Sequence, residues 1–338
     1  MPDMSPPTPA HPFAFRLGVP PDLPGCLPAL RPGDPAKALH DAELVRLWQR
    51  CLGHGAFVII ERIGQARSGT IDGFGLSVFV PDGFADRYFT DPQPGVTLEF
   101  FRGLAAGEPV LLSEPQVAHA NAGSGINVLV LHFGSRLGDF SDPQTLALHA
   151  LVGSSFYFSH GGHRIRSILA ETYGPDATRF AEDGQFRLLK DFAATMPTAY
   201  AHVPLQERPH LVGLRRDWVL GAGWYPMAQL FSSVAPRVYF SRTERRVLER
   251  AMLGEPDQVI ADALGLSAHT VKSAWKHAIQ RAGDTIDGLY PGGSSRDSAT
   301  RGREKRIYLL TYLREHMEEL RPYPRERART AARVSARR

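Results

Sequence analysis

Cysteine is nearly missing from this chain: Cys26 and Cys51 are the two thiols in 338 residues. So few cannot build a disulfide framework in a protein of this length, and a reducing, cytoplasmic location is expected. No apolar run reaches the length of a membrane span, and the opening stretch MPDMSPPTPAHPF has neither the basic nor the apolar region of a secretory signal, so no membrane partner is expected. No G-x-S-x-G motif occurs, which excludes the nucleophile-elbow hydrolases despite the proximity of Ser154 and Ser155 to His160. His160 and His163 form an H-x-x-H pair without an evident third ligand, so no metal site is expected. No catalytic residue and no cofactor are assigned on the sequence.

What is present is uneven. With 43% hydrophobic and 22% charged residues the chain has the make-up of an ordinary globular protein, long enough for two domains. From Phe240 onward there are 20 Lys and Arg against 13 Asp and Glu, a net of +7, whereas residues 1 to 239 hold 19 against 22, a net of −3. Basic character therefore belongs to the last third, where attraction to a polyanion would act. Residues 1 to 36 carry 11 of the 27 prolines and read as a disordered tail. An amphipathic helix is expected over 37–52, strands over 56–63 and 74–80, and helices near 82–90, 95–106 and 113–122. A buried strand follows over 126–133, then a helix near 143–152, a strand over 154–160, a helix over 162–174, and strands over 185–191 and 210–216. Residues 197–209 read as a loop and 217–239 as a bridging helix.

The densest pattern is FSRTERRVLERAMLGEPDQVIADALGLSAHTVKSAWKHAIQRAG, residues 240 to 283. Ser241 with Glu244 makes a capping box before the stripe Val247, Leu248 and Met252. Gly254 stops that helix, Pro256 and Asp257 open a second in their first turn, and Gly265 ends it. Ser267 caps a third helix that turns Val271, Trp275 and Ala278 or Ile279 inward and leaves His269, Lys272, Ser273, Lys276 and Gln280 outward. These residues resemble the LuxR-type (GerE-like) helix-turn-helix of bacterial transcription regulators. The resemblance rests on Phe240, Ser241, Glu244, Val247, Leu248, Gly254, Ile260-Ala261, Leu264-Gly265-Leu266-Ser267, Thr270-Val271-Lys272, Arg281 and Gly283. Ala274, Ala278 and Ala282 depart from the family's larger residues. The resemblance implies a third helix, about 267–281, in the major groove, with Lys272, Ser273 and Lys276 at base edges and Thr270 and His277 nearer the phosphates, while helical spacing puts His269 on the same DNA-binding face.

Upstream, the element order of two strands, a long strand, helix, strand, helix and two strands resembles the GNAT-type acyltransferase fold; a GAF- or PAS-like sensor matches the architecture equally. In the GNAT family a Gly-rich loop after the long strand cradles a pyrophosphate. Here that place reads Gly134-Ser135-Arg136-Leu137-Gly138-Asp139, with a basic residue and two glycines but not the family's spacing. A second anion site is read at a helix start formed by His160, Gly161, Gly162, His163, Arg164 and Arg166, for a phosphate or carboxylate effector.

The expected organisation is a Pro-rich tail (1–36), a mixed α/β sensor-like domain (37–235), a helix-turn-helix domain (236–290), a linker (291–302), an amphipathic helix (303–320) with Ile307, Leu310, Leu313, Met317 and Leu320 on one face, and a basic tail (321–338). The expected function is a sequence-specific DNA-binding transcriptional regulator, not an enzyme, with double-stranded DNA, RNA polymerase, a small-molecule effector and a second copy of the chain as partners. The alternatives are an acyltransferase-like enzyme domain fused to a DNA-binding domain and a sigma-factor-like promoter-binding subunit.

Overall fold

The structure is a computed structural model that describes residues 12–64, 70–139, 141–221, 228–291 and 299–324. In chain order the elements are β1 (Phe13–Leu17), α1 (Asp41–Cys51), β2 (Gly55–Arg62), β3 (Gly73–Val80), α2 (Asp82–Thr90), α3 (Val96–Ala106), α4 (Glu114–Ala122), β4 (Ile126–Ser135) and α5 (Pro143–His160). There follow β5 (Ile165–Tyr173), α6 (Pro175–Asp183), β6 (Arg187–Asp191), β7 (Pro209–Arg215), α7 (Arg216–Gly221), α8 (Arg242–Met252), α9 (Asp257–Leu264), α10 (Ala268–Thr285) and α11 (Ala299–Glu315). The chain divides into two compact units, residues 1–112, 127–159 and 167–223 in the first and 113–126, 160–166 and 224–338 in the second. This departs from the expected boundary near 235, because α4 and the His160–Arg166 turn belong with the C-terminal helices.

The first unit is mixed α/β around one seven-stranded sheet in the order β1-β2-β3-β4-β5-β7-β6. Strand β2 shows why the sheet is buried on both faces. Phe57, Val58, Ile59 and Ile60 are consecutive and all buried, with Ile59 in the larger core and Ile60 in the smaller one on the other side. The larger core joins Trp48 of α1 to Phe74 and Leu76 of β3, Phe100 and Phe101 of α3, Leu131 of β4 and Leu169 of β5. The smaller one packs Phe13 and Ile60 on Leu148 of α5.

Three sequence expectations are corrected here. Residues 12–36 of the Pro-rich start are ordered. Phe13–Leu17 pairs antiparallel with β2, and the prolines that follow sit at the first positions of short helical turns whose Leu23, Cys26, Ala29 and Ala36 are buried. Residues 154–160 are not a strand but the last turns of α5, which buries Leu148 and Ser155 at helical spacing. Residues 162–174 are not a helix but contain β5: Ile165, Ser167 and Leu169 are buried at a period of two, which the apolar count of the segment hides. The helix α6, which Gly174 and Pro175 open, went unread in the sequence.

In the second unit Ser241 caps α8 with a complete capping box, its Oγ accepting from Glu244 N and the Glu244 carboxylate accepting from Ser241 N. Gly265 ends α9 in the left-handed region at φ 63°, and Ser267 caps α10. Pro256 is the cap of α9 instead of lying in its first turn, and α10 runs through Gly283 to Thr285. Val247, Leu248, Ile260, Ala261, Val271, Ala274, Trp275, Ala278 and Ala282 are buried, so the alanines that depart from the LuxR pattern close a small core. The last helix also differs from expectation. It stops at Glu315, a 3-10 turn takes Met317–Leu320, and its buried face carries Leu309 and Leu313 while Ile307 is 58% exposed. Most of the expected linker (292–298) and of the basic tail (325–338) lies outside the described residues.

Candidate active site

Strand β4 carries a bulge that shapes the site. Against β3, Leu76 pairs with His132 and Ser77 with Val130, which leaves Leu131 as the extra residue. The insertion turns both Leu131 and His132 toward the larger core. The imidazole of His132 is buried among Trp48, Phe74 and Phe101, and its Nδ1 meets the Asp34 carboxylate at 2.8 Å. Asp34 caps the 3-10 turn Pro35–Ala38 by accepting from Ala36 N at 2.9 Å, which holds it in place. The carbonyl of the bulged Leu131 accepts from Thr97 Oγ1 at 3.4 Å, so α3 starts against β4.

Glu171 lies on β5, the neighbour of β4, in line with Ile165, Ser167 and Leu169 and therefore on the same side of the sheet. Its carboxylate caps α3 from a distance in sequence. Gly95, left-handed at φ 81°, donates its N–H to Glu171 at 2.6 Å, and the Thr97 amide also donates to it. Tyr173 Oη donates to the second oxygen at 3.0 Å. These donors and the helix N-terminus favour the anion, yet burial outweighs them, and with the Asp34 charge it lifts the Glu171 carboxyl from 4.5 to about 7. The residue as a whole is half-buried. Burial and the Glu171 charge also raise the hydroxyls of Tyr173 and Tyr200. Beside α3, Tyr88 donates to Glu99, which pairs with Arg87. The result is a carboxyl that changes charge near neutral pH, fixed by three donors and flanked by tyrosines. That is the outfit of a general base.

The loop after β4 is built differently from a phosphate cradle. Gly134 belongs to the strand, and a Cβ there would stand 2.2 Å from the Phe74 ring and 2.6 Å from the Ala29 carbonyl oxygen, so this glycine serves packing. Asp139 accepts from Ser141 N at 2.9 Å and from Ser141 Oγ at 2.6 Å, and Asp142 accepts from Gln144 N at 3.0 Å in the first turn of α5. Two carboxylates thus occupy the helix start where a diphosphate would need bare amides. The residues present do not fit the diphosphate of a coenzyme at this place.

The residues read from the sequence fall in the second unit. His269, Lys272, Lys276 and His277 are exposed on α10, with Thr270 and Ser273 half-buried beside them and Thr270 bonded to Ser267. The effector site loses its premise: His160 ends α5, so Gly161 and Gly162 follow the carbonyl end of a helix, where anions are disfavoured. The Gly161 carbonyl accepts from Arg321 Nε at 2.7 Å, and a Cβ on Gly162, at φ 80°, would stand 2.3 Å from Glu318 N. His163 is buried with Nδ1 against the Asn121 amide at 3.2–3.3 Å, and burial, with the charge of Arg321, holds it neutral well below the ordinary histidine range. The Arg164 backbone donates to Asn121 at 3.0 Å, and Arg166 is a β5 residue. Glu171 was missed because its segment reads as a helix; the signal that finds it is the alternation Ile165, Ser167, Leu169, Glu171, Tyr173.

No family model matches the chain, and no curated protein matches it. Among solved structures it is similar to a putative arylalkylamine N-acetyltransferase 7 of the yellow fever mosquito Aedes aegypti (13% identity, 60% of this chain and 87% of that one, TM-score 0.35). It is also similar to the C-terminal condensation domain of Ebony in complex with beta-alanyl-dopamine (9% identity, 60% and 98%, TM-score 0.38). A variant of agmatine N-acetyltransferase in its apo form gives 12% identity, 60% and 99%, and a TM-score of 0.36. Two are N-acetyltransferases and one a condensation domain; none is a DNA-binding regulator. On that finding the expectation of a transcriptional regulator that is not an enzyme, with its DNA-binding and LuxR-type function, is corrected. Among the described residues no helix is long and apolar enough to cross a membrane.

Proposed function

We propose that the sheet-bearing unit is a GNAT-type acyltransferase that moves an acyl group from an activated thioester to an amine. The observation that carries this reading is Glu171, a half-buried residue whose carboxyl is held by Gly95, Thr97 and Tyr173 and lifted to about 7. An amine attacks only as the free base, so the acceptor must lose a proton first. An ionised Glu171 takes it, the amine nitrogen bonds to the acyl carbon, the carbon–sulfur bond breaks, and the departing thiolate takes up the second proton that the nitrogen sheds as the amide forms. The acidic and aromatic surroundings, with Asp34, Tyr173 and Tyr200, suit a cationic amine before that transfer. The strand order β1-β2-β3-β4-β5-β7-β6 with a bulged β4 supports the GNAT-type reading of the sheet. The buried, unpaired Cys26 and Cys51 support a cytoplasmic setting.

For the second unit, we propose the LuxR-type trihelical architecture over residues 240–283, supported by the Ser241 capping box, the left-handed Gly265 and the Ser267 cap. The acyltransferase reading is tested by incubating the full chain with acyl thioesters and a panel of primary amines while following thiol release. Turnover that depends on the amine supports it, and thiol release that is the same with and without any amine counts against it.

A further inference from the structure

We infer that the acyl donor is a thioester on a short, uncharged pantetheine-type arm, and that no diphosphate is held at the start of α5. This rests on the acyltransferase reading and concerns the form of its donor. The start of α5 directly follows β4, and two amides there are already engaged, Ser141 N on Asp139 and Gln144 N on Asp142. Both acceptors are carboxylates. Donors from Ser141 hold the Asp139 carboxyl below its ordinary range, so it is charged at neutral pH. Arg62 lies 3.5 Å from Asp72 and donates to Gln144 Oε1 at 3.0 Å, so it is engaged by other acceptors. A diphosphate brought here would displace two carboxylates from their donors and still face their charge. An uncharged arm meets neither cost.

Three measurements on the full chain test this. S-acetylpantetheine and S-acetyl-coenzyme A, each with the amine panel, are expected to give kcat/KM values within about threefold of each other, and a preference of about a hundredfold for the coenzyme overturns the inference while acyl transfer stands. Replacing both carboxylates by amides (Asp139→Asn with Asp142→Asn) keeps the acceptor oxygens and removes the charge. That variant is expected to raise the preference for the coenzyme by about tenfold, and an unchanged ratio overturns the assignment of the exclusion to these two residues. Calorimetry with inorganic pyrophosphate reads the same corner without turnover. No saturable heat is expected below about 10 mM, and saturation that is unchanged by the double variant, or any tight binding to the native chain, overturns the inference even if no donor reacts.

Discussion

Two carboxylates, one in each unit, have nearly the same set of donors and opposite settings. Glu171 accepts from the Gly95 and Thr97 amides and from the Tyr173 hydroxyl. Glu319 accepts from the Arg237 and Val238 amides and from the Tyr312 hydroxyl, at 2.9–3.1 Å. The difference lies in what surrounds each. Glu319 is 1% exposed, inside a knot where Arg321 reaches Gly161 and Glu249 and Asn121 holds the Pro322 carbonyl. Glu171 is half-buried on a strand, next to the Asp34 charge. A sealed carboxylate can only hold backbone in place, whereas one on a partly exposed residue that sits near neutrality can trade a proton with a reactant. Equal hydrogen bonding therefore does not imply equal role.

The widest separation of the two is kinetic. Glu171→Gln keeps acceptor capacity for Gly95 but cannot take a proton, and it is expected to lower kcat/KM for acyl transfer by about a hundredfold to ten-thousandfold. In the native protein kcat/KM should rise with pH through a midpoint near 7 as the carboxyl ionises, and in the variant that inflection should vanish. Persistence of the inflection in the variant assigns the proton transfer to another group.

Glu319 should fail in stability instead. Glu319→Ala strands two backbone N–H groups and a tyrosine hydroxyl in a sealed place, and a loss of about 3 kcal/mol in denaturant unfolding is expected, with the Glu171 pH profile unmoved. A variant that unfolds like the native chain would show that water replaces the carboxylate, and the knot would lose its structural meaning.

The pH dependence of stability sharpens the same contrast. The folded Glu171 carboxyl sits near 7 against an ordinary 4.5, so between those values the folded state holds more protons than the unfolded one. Its contribution favours the fold fully below about 4.5, declines as pH rises, and is gone above about 7. Glu171→Gln, which never ionises, should thus be more stable than the native protein by about 1 to 2 kcal/mol at pH 8, after allowance for partial solvation, and equal to it at pH 4. A constant difference across that range would mean that the carboxyl does not titrate there. The expected outcome is a site that costs stability for chemistry, as strained functional groups do.

How much of this was legible in the sequence follows from distance along the chain. The helices at 82–90, 95–106, 113–122 and over 242–285, and the strands β2, β3, β4, β6 and β7, stand close to where periodicity and caps put them, since those signals lie within each segment. The α5–β5 stretch was read inverted because its apolar residues are dense enough to satisfy either period, and β1 was hidden by prolines that the fold uses as turn starters. The candidate site was not legible at all. The donor that fixes Glu171 is 76 residues away in Gly95, and the partner of His132 is 98 residues away in Asp34. No local pattern encodes such pairs, whereas the misread anion site at His160–Arg166 was local in every feature and depended on a helix being where a strand is.

The smallest expected effect tests that division between local and distant capping. Helix α8 starts at Ser241, whose partner Glu244 is three residues on, and helix α3 starts at Gly95, whose acceptor Glu171 comes from another element. Ser241→Ala removes the side-chain acceptor for Glu244 N but leaves the Glu244 carboxylate on Ser241 N, so half of the box survives. The expected cost is about 1 kcal/mol of unfolding free energy, seen as fraying of the first turn of α8 in hydrogen exchange, with acyl transfer unchanged. Glu171→Gln, by contrast, should leave exchange at the first turn of α3 nearly native while activity falls, because the amide oxygen still accepts from Gly95. If the Gln variant frays α3 as the Ala variant frays α8, Glu171 is a cap like Ser241, and its place near neutral pH is a by-product of holding a helix.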